Sequence, residues 1–255
     1  MSHVVVRNVS AGINNVTIVR DINFEVQPGT MTALVGINGA GKSTLLRALA
    51  GINKLHDGEV LLDNVSVHSM RACQRAQLLT LVGQEESPPG DLTVSEMVAL
   101  GRLPHLKSWQ IGGKNEQEIV AQSLALVGLT DVADRSCEQL SGGQRRRALL
   151  ARGFAQGTDM VMLDEPTNHL DVHHQLHLLN VLRQSGRTIL ATIHDLDLAV
   201  SHFDQVVVLH EGTMLAAGKP ENVLIPENLR TVFNVQAYIA RLPETISPHL
   251  IIDSL

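Results

Sequence analysis

The sequence predicts an α/β fold: a mostly parallel sheet covered by helices on both faces, with an inserted helical subdomain. Three observations carry this. Short, β-branched apolar runs alternate with segments of helical spacing, the pattern of strands joined by crossover helices. Residues 92–157 break the alternation, with helical spacing and no strong strand. Strand-like runs return after residue 157.

Taken in order, Val4-Val5-Val6 is β-branched and predicts a strand. Ile22-Asn23-Phe24-Glu25-Val26 alternates with period two, as a half-buried strand does. Pro28-Gly29 is a turn signal, and Met31-Thr32-Ala33-Leu34-Val35 is a short apolar run ended by a glycine-rich loop. Residues 43–49 read as a helix with Leu45, Leu46 and Leu49 on one face, and strands follow at 59–62 and 78–82. Helices are expected at 94–100, 115–127 and 143–154. The later strands are 160–163, 188–192 and 205–209, with helices at 173–182 and 196–202 between them. The tail predicts a hairpin from Thr213, a short helix after Pro220 and strands at 236–241 and 250–252.

At roughly 150 residues per domain, 255 residues make one large domain or two small ones. With 44% hydrophobic and 18% charged residues the chain can bury a full core. The net charge of -6 argues against a protein that grips nucleic-acid phosphates, and no nucleic-acid partner is expected. Apolar runs such as Met160 to Leu163 and Val206 to Leu209 end at Asp164 and His210, far short of the ~20 residues that span a bilayer. Met1-Ser2-His3-Val4 lacks a basic segment followed by an apolar one, so no signal peptide is expected. Cys73 and Cys137 form neither a CxxC pair nor a disulfide framework, which fits a reducing cytosol.

Gly36-Ile37-Asn38-Gly39-Ala40-Gly41-Lys42-Ser43 fits G-x-x-x-x-G-K-[ST] between a predicted strand and a predicted helix, the context this phosphate-binding loop requires. Glycines let several backbone N–H groups turn into one concavity, and the helix adds its positive N-terminal end. Lys42 reaches the outer phosphates, and Ser43 can ligate Mg²⁺. The expected fold is therefore a P-loop NTPase core. Met160-Val161-Met162-Leu163-Asp164-Glu165 is the companion: a buried strand ending in two acids. Asp164 can hold Mg²⁺ through water, while Glu165 orients or deprotonates the attacking water.

Leu140-Ser141-Gly142-Gly143-Gln144 precedes a helical, arginine-rich segment and makes a second anion site at a helix start. With this string the chain resembles the ATP-binding-cassette ATPases, whose signature motif it matches. The resemblance covers essentially the whole chain, as one domain of 1–255 with a nucleotide-binding core of about 1–91 and 158–255 and a helical subdomain of about 92–157, and it implies that the core has an N-terminal antiparallel β part. The family's motifs follow in order: Gln84 in the Q-loop, the signature, Asp164-Glu165, Asn168-His169-Leu170-Asp171 as the D-loop, and His194.

The resemblance implies a head-to-tail homodimer with two ATPs between the subunits, each on one subunit's phosphate loop and beneath the other's signature. It makes Gly36 to Ser43 with Thr44, then Ser141, Gly142, Gly143, Gln144 and Asp171, the nucleotide-binding residues. Glu165, His194 and Gln84 become the catalytic group, and Ser43, Gln84 and Asp164 the Mg²⁺ ligands. Ser141 and Gly143 would contact the γ-phosphate in trans and His194 in cis, while Gln84 would touch Mg²⁺ or water and sense a membrane partner. Asp171 is also readable as a plain helix cap.

Ala99-Leu100-Gly101-Arg102-Leu103-Pro104-His105-Leu106 with Trp109, His174-Gln175, and Gly218-Lys219-Pro220-Glu221-Asn222-Val223-Leu224 look like the ATPases of iron-siderophore, haem and cobalamin importers. The implied partners are two copies of a polytopic membrane permease and, indirectly, an extracytoplasmic substrate-binding protein. The chain would lie peripherally on the cytoplasmic face of the membrane, and its tail is too short for a separate regulatory domain. The rival is a soluble cassette ATPase acting on ribosomes or DNA, disfavoured by a single cassette, no long heptad segment and the negative charge. A GTPase is disfavoured because His56 replaces the base-reading aspartate in Asn53-Lys54-Leu55-His56.

Two features remain. His169, His173, His174 and His177 crowd one segment, and 173 and 177 have the spacing of a metal pair on a helix. The reading preferred is a solvated or interface histidine face. Secondly, the family usually stacks adenine on an aromatic upstream of the phosphate loop, where this chain has Ile13 and no Phe, Tyr or Trp before Phe24. The adenine is expected to rest on aliphatic groups, Ile13 first and then Val16, or to remain partly exposed.

Overall fold

The first two strands are longer than the sequence predicts. In the computed structural model, which describes residues 2–83, 91–106, 113–168, 170–241 and 247–254, β1 (Val4–Ile13) and β2 (Val16–Val26) form a hairpin about Asn14-Asn15. Both turn residues have positive φ, 48° and 65°, the geometry that two-residue hairpins take. The pairing register shifts between Val6 and Val9 and again on either side of Ala11. Those bulges, with left-handed Asn8 and Asp21 beside them, scramble the period-two pattern, so only the ends of each strand read as strand.

The chain forms two compact units, Met1–Ser69 with Gly186–Leu255, and Met70–Ser185. The first unit continues with β3 (Met31–Val35), α1 (Lys42–Leu49), β4 (Leu55–Leu62) and the short β5 (Val65–Ser66). β1 lies between β2 and β4, and β5 pairs with β4; this N-terminal sheet is antiparallel throughout.

The second unit runs α2 (Ala72–Leu78), β6 (Leu79–Val82), α3 (Val94–Ala99), α4 (Lys114–Leu126), α5 (Gly142–Ala155), β7 (Met160–Leu163) and α6 (Val172–Gln184). β6 and β7 pair in parallel from Leu79↔Met160 to Val82↔Leu163. α2 carries no buried residue, which is why no apolar face announced it. Thr93 and Glu96 form a full capping box at the start of α3. Arg102 is 9% exposed. Its Nε donates to Glu116 at 2.6 Å and one guanidinium N–H donates to the Ala155 carbonyl near the end of α5 at 2.7 Å. The same guanidinium holds the Glu116 carboxyl below its ordinary range.

The first unit then resumes with β8 (Thr188–Thr192), α7 (Leu196–His202), β9 (Gln205–His210), β10 (Thr213–Gly218), α8 (Pro220–Val223), α9 (Pro226–Phe233), β11 (Gln236–Ala240) and β12 (His249–Ser254). β3 pairs in parallel with β8 on one side and β9 on the other, and β10 closes that edge as a hairpin on β9. β3 and β8 are buried at every residue, as central parallel strands are. The expected class is borne out: parallel α/β strands, an antiparallel N-terminal sheet and a helical part.

Candidate functional site

In the first unit the chain leaves β3 at Val35 and enters α1 through a loop that three glycines make possible. Gly36, Gly39 and Gly41 have φ of 154°, 84° and 96°. A Cβ on Gly36 would lie 2.5 Å from the Leu209 carbonyl oxygen, and one on Gly41 would lie 2.5 Å from Val19 Cγ1. The loop therefore presses against β9 on one side and β2 on the other, and no larger residue fits either place. Gly41 caps α1 with no side-chain hydrogen bond, and the first turn of α1 carries no acid. That leaves the helix start to its backbone N–H groups, the arrangement that receives an anion.

Lys42 is 6% exposed. Its Nζ donates to the carbonyls of Gly36 at 2.7 Å and Ile37 at 3.1 Å, so the ammonium is folded over its own loop. Ser43 is half-buried and Thr44 is buried, in the first turn of α1. His194 is exposed and stands between β8 and α7, just after Ile193, whose N–H donates to the Leu34 carbonyl at 3.1 Å. Ile13 and Val16 pair across the β1–β2 turn and are 53% and 66% exposed. Gly41 touches Ile18 and Val19 of β2, so the hairpin that bears Ile13 and Val16 packs on the phosphate loop.

In the second unit, Asp164 and Glu165 follow β7 and are 4% and 8% exposed. Glu165 takes a left-handed φ of 51°, a conformation that costs a branched or long side chain free energy and persists only where the surroundings fix it. Two side chains do so. Arg146 of α5, 7% exposed, donates to the carbonyls of Gly83 at 2.6 Å, of Asp164, and of Glu165 at 3.1 Å. Asn168 donates its amide N–H to a Glu165 carboxylate oxygen and its backbone N–H to the Glu165 carbonyl at 3.2 Å. Sequence reasoning assigns neither of them this role: Asn168 enters it only as part of the D-loop motif. Arg146 is one of three consecutive arginines, and only helix phase, which turns it inward, separates it from Arg145 and Arg147.

The signature residues lie at the start of α5. Ser141 is the N-cap: its Oγ accepts from Gln144 N at 3.3 Å, and Gln144 Oε1 accepts from Ser141 N at 3.0 Å. Gly142 and Gly143 form the first turn, with open space where a Gly142 side chain would be. A recess of about 260 Å³ is lined by Ser141, Gly143, Gln144, Arg147, Leu170, Asp171 and His174. Arg147 donates to the carbonyls of Val127 and Gly128 at 2.9 and 3.3 Å. Burial holds its guanidinium below the usual range, against the opposing charge of Asp171. Asp171 caps α6, accepting from His174 N at 2.9 Å. That bond and the His174 side chain hold its carboxyl below the ordinary range. The structure thus groups the phosphate loop with His194 in one unit, and Asp164, Glu165, the signature and Asp171 in the other. Gln84, Trp109 and His169 lie outside the described residues.

The ABC transporter family model matches residues 19–168. The petrobactin import ATP-binding protein FpuD of Bacillus anthracis is 40% identical over 233 residues, covering 89% of this chain and 84% of that protein. The iron(3+)-hydroxamate import ATP-binding protein FhuC of Bacillus subtilis is 37% identical over 241 residues, covering 93% and 90%. Among solved structures, a metal-chelate type ABC transporter in an inward-facing conformation superposes with a TM-score of 0.83 at 27% identity, over 99% of this chain and 98% of that one. A dimeric cassette with ADP and phosphate shares the fold at a TM-score of 0.76 and 24% identity, over 85% and 98%. A phosphate loop, a strand ending in Asp164-Glu165 and a capped signature helix, matched over nearly the whole chain by such relatives, place this chain in the ABC transporter family as one of its ATPases.

Proposed function

We propose that this chain is the ATP-hydrolysing subunit of an importer for a ferric siderophore or a related metal chelate, working with a separate polytopic permease. The observation that carries this is the near full-length identity to import ATP-binding proteins that serve petrobactin and iron hydroxamate. A cobalamin import ATP-binding protein of Halobacterium salinarum, 37% identical over 89% of this chain, makes cobalamin the second choice of cargo. Among the described residues no helix is long and apolar enough to cross a membrane, which supports peripheral attachment to the cytoplasmic face through the permease. We divide the chain functionally into a nucleotide-binding core of about 1–91 and 158–255 and a helical subdomain of about 92–157.

In this reading the backbone of Gly36 to Ser43 cradles the ATP phosphates, and Lys42 exchanges its bonds to Gly36 and Ile37 for the outer phosphates. Ser43 and Asp164, with Gln84, offer the hard oxygen donors that Mg²⁺ takes, and Mg²⁺ neutralises charge on the phosphates when bound. Glu165, fixed by Asn168 and by Arg146 behind its backbone, polarises the attacking water, and His194 orients the γ-phosphate. Ser141 and Gly143 serve the ATP of the second subunit in a head-to-tail homodimer. Closure then depends on ATP and reopening on hydrolysis.

The test is affinity purification of the tagged chain from membranes of its own host. Recovery of a polytopic permease whose transport activity consumes ATP supports the reading. Recovery of ribosomes or DNA with no membrane protein defeats it.

A further inference from the structure

We propose that Asp171, His173 and His174 bind a divalent transition-metal cation of the Zn²⁺ class, at the lip of the recess that holds the signature loop. One carboxylate oxygen of Asp171 and one nitrogen of each imidazole lie within 4.8 Å of one another. The start of α6 brings them together. Asp171 is the N-cap, and His174, three residues on, folds back over it, with Nδ1 2.8 Å from both carboxylate oxygens. The exposed ring of His173 meets His174 edge to face, centroids 5.3 Å apart at 89°.

Two imidazoles and one carboxylate make a donor set for Zn²⁺, Ni²⁺ or Cu²⁺, whereas Mg²⁺ and Ca²⁺ prefer oxygen alone. Bonds of about 2.0–2.1 Å in a tetrahedron hold the donors about 3.3 Å apart. The present spread closes to that by rotating the ring of His173, an exposed side chain of the first helical turn. A water completes the fourth position, as in open zinc sites.

The pair that the sequence spacing suggests, His173 with His177, is not the site. Their rings stack in parallel with centroids 6.5 Å apart, and no nitrogen of His177 joins the donor group of Asp171, His173 and His174; its Nε2 donates to the Leu126 carbonyl at 2.9 Å. Asp171 stands where the spacing alone would put His177. The histidine face is therefore split between a structural bond at its C-terminal end and a chelating corner at its N-terminal end.

The position gives the cation an effect, an argument that rests on the proposed role of Ser141 to Gln144 toward ATP. Asp171 and His174 share the recess with Ser141, Gly143 and Arg147. A bound dication fastens the first turn of α6 and sets two positive charges beside Arg147 and the signature. ATP turnover slows as a result, with the phosphate loop untouched.

The experiment uses the full-length chain without a polyhistidine tag. ZnCl₂ is titrated calorimetrically into nucleotide-free protein with Mg²⁺ in excess, and ATP hydrolysis is then measured with and without Zn²⁺. We expect one Zn²⁺ per chain, with His173→Ala and His174→Ala each weakening it by about tenfold or more, and His177→Ala within about threefold. Zn²⁺ slows the wild type, and His173→Ala keeps its rate. Zn²⁺ binding that is indifferent to His173→Ala, or abolished by His177→Ala, overturns the ligand set. Tight binding that leaves hydrolysis unchanged overturns the link to the signature. A chain that hydrolyses no ATP with Mg²⁺ alone defeats the functional reading instead, and the calorimetry still decides the metal site.

Discussion

The phosphate loop of the first unit and the strand end at Asp164-Glu165 in the second are both short turns after a buried strand, yet they are held in opposite ways. The phosphate loop is shaped by glycine backbone and close packing, with Lys42 folded onto its own carbonyls. The strand end is shaped by other side chains: Arg146 behind its carbonyls and Asn168 on the carboxylate itself. The difference follows from what each delivers. A loop that offers backbone N–H groups to phosphates must keep side chains away from them. A turn that aims one carboxylate must be braced, because its left-handed residue would otherwise relax.

The largest expected effect separates the two regions. Glu165→Gln keeps ATP binding, loses nearly all hydrolysis and traps an ATP-bound dimer, whereas Lys42→Ala weakens ATP binding itself. Size-exclusion chromatography with Mg-ATP and a nucleotide titration on each variant distinguish them. A Glu165→Gln protein that stays monomeric and turns over at the wild-type rate breaks the comparison.

Next comes the brace. Arg146→Met leaves three carbonyls without their charged donor, at a cost of roughly 3 kcal/mol. For a chain of this size that lowers Tm by about 6–12 °C. Hydrolysis falls with it, while ATP binding is expected to change little, because the proposed phosphate contacts come from the loop backbone and Lys42. Thermal melts beside kcat measurements test this, and a drop in nucleotide affinity as large as the drop in kcat would contradict it.

The smallest effect concerns the base. Ile13 and Val16 are exposed on the hairpin that packs against Gly41, and stacking a base on an aromatic is worth about 1–3 kcal/mol. Ile13→Tyr is expected to tighten ATP binding by up to about tenfold, at about 1.4 kcal/mol per decade, and the wild type to discriminate poorly between ATP and GTP. Titrations of both nucleotides on both proteins decide. Strong ATP preference in the wild type with no gain in the variant places the base elsewhere.

How much could be read in advance differs between the regions for the same physical reason. Glycines at fixed spacing before Lys42 announce a backbone-built loop, so the phosphate loop with β3 and α1 was legible directly. A side-chain brace has no local signature: Arg146 looks like its neighbours until α5 turns it inward, and Asn168 gains meaning only beside Glu165. Among the strands, β3, β7, β8 and β9 carry short, buried, mostly apolar runs, so they stand out. β1 and β2 were only half visible, since bulges at Asn8 and Asp21 break the alternation. The histidine segment shows the limit of spacing alone: 173 and 177 have the right separation, yet their rings stack 6.5 Å apart and the close donor group forms with Asp171 and His174 instead.

The left-handed backbone at Glu165 has an evolutionary consequence. Asparagine and glycine accept that conformation more readily than a long carboxylate does. Drift governed by folding alone would therefore carry the position toward those residues, and each step would yield a sturdier protein with no carboxylate to offer. Glutamate persists there only while hydrolysis is under selection. A descendant cassette freed from that demand should change first at residue 165, long before its phosphate loop decays.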